Sequence, residues 1–69
     1  MDIYRITVYR IVDNRTEVIM TAEFPAAEIY HANAIYNILF NQYDNIIMER
    51  VTEVATIFGS KVNGKGIKS

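Results

Sequence analysis

The chain has 69 residues, 51% of them hydrophobic and 22% charged, with a net charge of −1. That length supports one small core, because a domain of this size buries only about 60% of the surface its unfolded chain exposes. The absence of cysteine excludes disulfide staples and thiolate zinc sites, and a single histidine, His31, argues against a protein-only metal site. Self-association remains as a common source of the last few kcal/mol of stability in so short a chain.

No run approaches the roughly 18 apolar residues that span a bilayer. The opening Met-Asp-Ile-Tyr-Arg lacks the basic segment and hydrophobic stretch of a signal peptide, so the chain reads as a cytoplasmic protein without a membrane partner. Charge is uneven. Residues 1–60 hold eight acids against Arg5, Arg10, Arg15 and Arg50, giving −4, while Lys61, Lys65 and Lys68 make the last nine residues +3. DNA affinity rests on clustered cations that neutralise phosphates, so the acidic body argues against direct nucleic-acid binding.

In chain order, residues 2–12 and 16–24 are rich in Ile, Val, Tyr and Thr and flank the turn signal Asp13-Asn14-Arg15, which predicts a β-hairpin. Pairing positions that sum to 28 sets Tyr4 beside Phe24, Ile6 beside Ala22, Val8 beside Met20 and Arg10 beside Val18 on a nearly apolar face. The other face then pairs Arg5 with Glu23, Thr7 with Thr21, Tyr9 with Ile19 and Ile11 with Glu17, all favourable cross-strand partners. The first face is expected to be core.

Pro25 suits the first turn of a helix, and Glu28 favours its N-terminus. The helix is expected to run to about Tyr43, with Ile29, Ala32, Ile35, Tyr36, Leu39, Phe40 and Tyr43 on the side that covers the sheet. Residues 45–58 fit a helical stripe through Ile47, Val51, Val54, Ala55 and Phe58. Their β-branched content favours a third strand, with Ile46, Met48, Arg50, Thr52 and Val54 toward the helix and Ile47, Glu49, Val51 and Glu53 outward. A right-handed crossover lays this strand beside the first. The expected fold is α+β: a three-stranded antiparallel sheet of order 2-1-3 in ββαβ sequence, with one helix on one face. The expected domain covers 1–58, followed by a flexible basic tail, 59–69.

Three features are candidates for function. The uncovered sheet face, with Ile3, Arg5, Tyr9, Ile11, Ile19, Ile47 and Val51, forms an apolar patch with a charged rim, the pattern of a homodimer interface or of a contact with a foreign protein. The outer helix face, Tyr30, His31, Asn33, Asn37, Ile38 and Asn41, is either an ordinary solvated surface or a partner contact. Glu17, Glu23, Glu49 and Glu53 are ordinary solvated acids or, displayed together, an imitation of DNA phosphates. No nucleophile elbow, phosphate loop, metal pair or dinucleotide-binding turn occurs. The expectation is no catalytic residue, no cofactor and no enzyme activity.

With Tyr4-Arg5-Ile6-Thr7-Val8-Tyr9-Arg10-Ile11-Val12-Asp13 leading and Tyr43-Asp44-Asn45-Ile46-Ile47-Met48-Glu49-Arg50-Val51 closing, the layout over residues 2–54 resembles small proteins of tailed bacteriophages. The resemblance implies a phage-encoded protein that binds and inhibits or redirects a bacterial host protein in the host cytoplasm, as host-takeover and anti-defence inhibitors do. A narrower likeness is to the small phage inhibitors of uracil-DNA glycosylase, which share the strand-strand-helix-strand order and act as dimeric DNA mimics. This chain departs from them in charge. Two alternatives stand beside that reading: an anti-defence protein that sequesters a nucleotide signal in a cleft between subunits, and a weak nucleic-acid binder acting through the basic tail.

Overall fold

Two β-branched runs meet at a two-residue turn. The computed structural model describes residues 2–67. In it β1 (Ile3–Val12) and β2 (Arg15–Pro25) are joined by Asp13 and Asn14 at φ 52° and 63°. Asp and Asn tolerate left-handed backbone better than other non-glycine residues, and two such residues in succession match the twist of a hairpin. The turn sets Val12 opposite Arg15, Arg10 opposite Glu17 and Tyr9 opposite Val18. The register then shifts at Ile19, and Val8–Met20, Ile6–Ala22 and Tyr4–Phe24 pair as expected. The expected pairs Tyr9–Ile19, Arg10–Val18 and Ile11–Glu17 do not form. The turn takes two residues where three were expected, and a β-bulge at Ile19 absorbs the difference before the core begins.

Pro25 ends β2 instead of opening the helix. One turn of 3-10 helix (Ala26–Glu28) leads into α1 (Ile29–Gln42), and Tyr43 is extended. The Tyr43 N–H donates to the Leu39 carbonyl at 3.0 Å. The Lys61 ammonium donates to the Phe40 carbonyl at 2.6 Å, placing a cation at the negative end of the helix.

The expectation of a three-stranded sheet is overturned here. Residues 45–58 are not one strand but β3 (Ile46–Val51), a Thr52–Val54 turn and the start of β4 (Ala55–Val62). A turn at Asn63-Gly64, with φ 51° and 80°, returns the chain as β5 (Lys65–Ile67). All neighbours are antiparallel, and the sheet has five strands in the order β2-β1-β3-β4-β5. Residues 59–67, expected to be a tail, therefore stand largely in strands. Lys68 lies outside the described residues.

The helix-side face holds the core. Tyr4, Ile6, Val8, Ala32, Ile46 and Met48 are buried, with Phe24, Ile29, Ile35, Tyr36, Leu39, Phe40 and Tyr43 packed against them. Each fully buried aliphatic side chain such as Ile6, Val8 or Ile46 contributes about 1.5–3 kcal/mol. Two helix rings reach past the core because the strands below lack a side chain at Gly59 and Gly66. A Cβ on Gly59 would stand 3.0 Å from the Tyr36 hydroxyl, and one on Gly66 would stand 2.8 Å from Phe40 Cζ. A second bulge, at Phe58, puts Gly59 opposite Met48 and lets the Phe58 ring meet Tyr4 edge-on at 5.3 Å.

Candidate functional site

Alternation along β1 settles what the second face of the sheet displays. With Tyr4, Ile6 and Val8 committed to the core, Ile3, Arg5, Thr7, Tyr9 and Ile11 point the other way. The cross-strand pairs extend this into rows. Ile3 lies beside Val51, which lies beside Ala55. Arg5 stands between Glu23 and Glu49, with Ile57 beyond. Thr7 stands between Thr21 and Ile47, with Ser60 beyond, and Tyr9 lies beside Val18. No helix covers this face among the described residues. Val18, Ile57 and Ile11 are 62%, 47% and 46% exposed, while Ile3, Ile47 and Val51 are half-buried.

Six of the seven residues expected on the face, Ile3, Arg5, Tyr9, Ile11, Ile47 and Val51, share it. Ile19 sits at the bulge, and Val18 takes the place opposite Tyr9. Sequence reasoning missed Ile57, Ser60 and Val62, which enter the face only because β4 exists. The signal available for that strand was Asn63-Gly64, the strongest short-range hairpin dipeptide.

Arg5 Nε lies 3.0 Å from Glu23 Oε2, with both side chains partly exposed. Such a pair contributes about 0–1 kcal/mol. Its importance is electrostatic. A single guanidinium between Glu23 and Glu49 neutralises much of what would otherwise be an acidic row.

The four glutamates are not displayed together. Glu23 and Glu49 flank Arg5, Glu17 pairs with Arg10 at 2.7 Å near the hairpin tip, and Glu53 lies in the β3–β4 turn. The proposed imitation of DNA phosphates therefore has no geometric basis in this set. The outer face of α1 does carry Tyr30, His31, Asn33, Asn37, Ile38 and Asn41, all exposed, Tyr30 at 87%. His31 is engaged locally, 3.7 Å from Glu28 and 5.2 Å ring-to-ring from Phe24. The Asn41 amide donates to the Asn37 carbonyl at 3.2 Å.

Among the described residues no group of three or more His, Cys, Asp or Glu side chains is placed to hold a metal ion, and no helix is long and apolar enough to cross a membrane. Of the tail lysines, Lys61 is held by the helix end, 4.8 Å over the Phe40 ring, and Lys65 lies in β5. Comparisons of the chain with protein-family models, with curated proteins and with solved structures found no match.

Proposed function

We propose that this chain is a non-enzymatic binding module that pairs with a second copy through its open sheet face and binds a bacterial host protein, inhibiting or redirecting it in the cytoplasm. The observation that carries the reading is the uncovered face itself. It is a surface of four strands with apolar residues on either side of a mostly hydroxyl row and one compensated charged row, on a domain too small to leave such a surface idle. Pairing of two sheets leaves both helices outward, so the foreign contact falls on α1, where Tyr30 and Ile38 are 87% and 54% exposed. The likeness of residues 2–54 to small tailed-phage proteins supports a bacterial partner.

Two measurements test this. In sedimentation at high micromolar concentration the chain is expected to be a dimer and its Tyr9→Arg variant a monomer. In affinity capture from bacterial lysate, one dominant protein should be retained and then lost with Tyr30→Ala. A chain that stays monomeric overturns the sheet-face pairing, and capture of nothing beyond the chain itself overturns the host-protein reading.

A further inference from the structure

We propose that the open face closes on a second copy about a two-fold axis that crosses β1 at Thr7 and runs along the row Thr21, Thr7, Ile47 and Ser60. This rests on the self-association proposed above and specifies its geometry. The carrying observation is the order of side chains that β1 presents: Ile3, Arg5, Thr7, Tyr9, Ile11. That order reads alike in both directions once a cation is matched with an aromatic ring.

An axis across the strands reverses their direction. Centred on Thr7, it sets Ile3 over the partner's Ile11 and Arg5 over the partner's Tyr9, while Thr7 meets its own equivalent. A guanidinium over a tyrosine face is attractive, and the two-fold makes the contact twice. On β3 and β4 the pattern agrees, while on β2 Glu23 comes over the partner's Val18. Ile47 shares the Thr7 row and meets the partner's Ile47. Ile57 lies in the Arg5 row, and Val62 lies two residues beyond Ser60, so Ile57 meets the partner's Val62.

Other axes fit less well. Centring on Arg5 stacks one guanidinium on another. An axis parallel to the strands, between β1 and β3, sets Arg5 over the partner's Glu49. However, Arg5 already stands between two carboxylates in its own chain, so a further carboxylate adds little. It also leaves Ile11 of the hairpin arm uncovered. The pairing of β3 with β1 stops at Val8, so Ile11 projects beyond it. An axis that reverses the strands lays Ile11 of each arm on the partner's Ile3. Four strands about 4.8 Å apart and nine residues rising about 3.3 Å each give a face on the order of 500 Å². That lies at the small end of specific interfaces, so the dimer is expected to be weak.

The chain has no cysteine, so single-cysteine variants report one position each. With a short bis-maleimide, a mixture of Ile3→Cys and Ile11→Cys is expected to cross-link between the two variants. Neither variant should link to itself, and Thr7→Cys alone should. In parallel, Tyr9→Arg should weaken dimerisation about tenfold or more, and the exchange variant Arg5→Tyr/Tyr9→Arg should recover most of it. If the chain sediments as a dimer but Ile3→Cys links to Val51→Cys in place of Ile11→Cys, this axis is wrong while the self-association stands. The same holds if a folded exchange variant stays as weak as Tyr9→Arg. A monomer throughout overturns both.

Discussion

Tyr36 shows how one side chain ties the helix to a strand at a position that has no side chain to offer. Its ring lies over Gly59, and burial raises its phenol above the ordinary 10.0. The folded state therefore holds this proton more tightly than the unfolded chain. The resulting stability is fully present below pH 10 and is lost as pH rises through the raised folded pKa. Thermal unfolding followed above pH 10 is expected to fall more steeply for the native chain than for Tyr36→Phe, and equal slopes would assign the alkaline loss to another group. At this scale the sequence was most legible. The alternation of β1 correctly separated Tyr4, Ile6 and Val8 from Ile3, Arg5 and Tyr9, because one face of a half-buried strand must be apolar throughout. The partners across the hairpin were legible only up to Val8–Met20. Beyond it the two-residue turn governs register, and hydrophobic pattern does not report bulges.

Among the elements, the turn of the β4–β5 hairpin is tied to the segment before β3 partly through one buried polar residue. Asn45, 7% exposed, accepts the Asn63 N–H on its Oδ1 at 3.0 Å, while its own carbonyl accepts the Tyr9 N–H at 3.2 Å. The adjoining Asp44 carbonyl accepts the Gly64 N–H at 2.9 Å. Replacing Asn45 by Ala strands the Asn63 donor and is expected to cost about 1–3 kcal/mol. Amide exchange in β4 and β5 should rise before exchange in β1, and a uniform rise would mean that the hairpin does not open separately. Residues 45–58 misled as a single strand because Thr52-Glu53-Val54 contains no Gly, Pro or Asn to mark its turn. Asn63-Gly64 did mark one. Its flanks are poor in apolar residues because next to it Tyr36 and Phe40 reach the backbone of β4 and β5 at Gly59 and Gly66.

As a whole, the molecule carries more surface than its mass requires. The described residues expose 4870 Å², against about 4,400 Å² for a compact chain of 7.9 kDa. The long dimension is 36 Å against 23 and 21 Å, and Ile11, Val12, Val18, Ile19 and Met20 of the hairpin arm are all among the exposed large hydrophobic side chains. Association that covers the arm stabilises the folded chain by mass action, so Tm should climb with protein concentration. Since 1 kcal/mol moves Tm by about 4–8 °C in a domain of this size, several degrees per tenfold step are within reach. Scanning calorimetry of Tyr9→Arg should show no such climb. The open face could be anticipated from β1 and β3 alone, but its breadth depends on a fourth strand whose start, after Thr52-Glu53-Val54, carries no turn residue to mark it.

The bulge at Ile19 also works as a clutch between tip and body. Register at the tip is dictated by Asp13-Asn14 and register in the body by Tyr4, Ile6 and Val8, and the spare residue lets each settle without dragging the other. Lengthening or grafting at the tip thus leaves the inward set of β1 in place, which makes this hairpin a natural point at which related chains can diverge in reach while keeping one core.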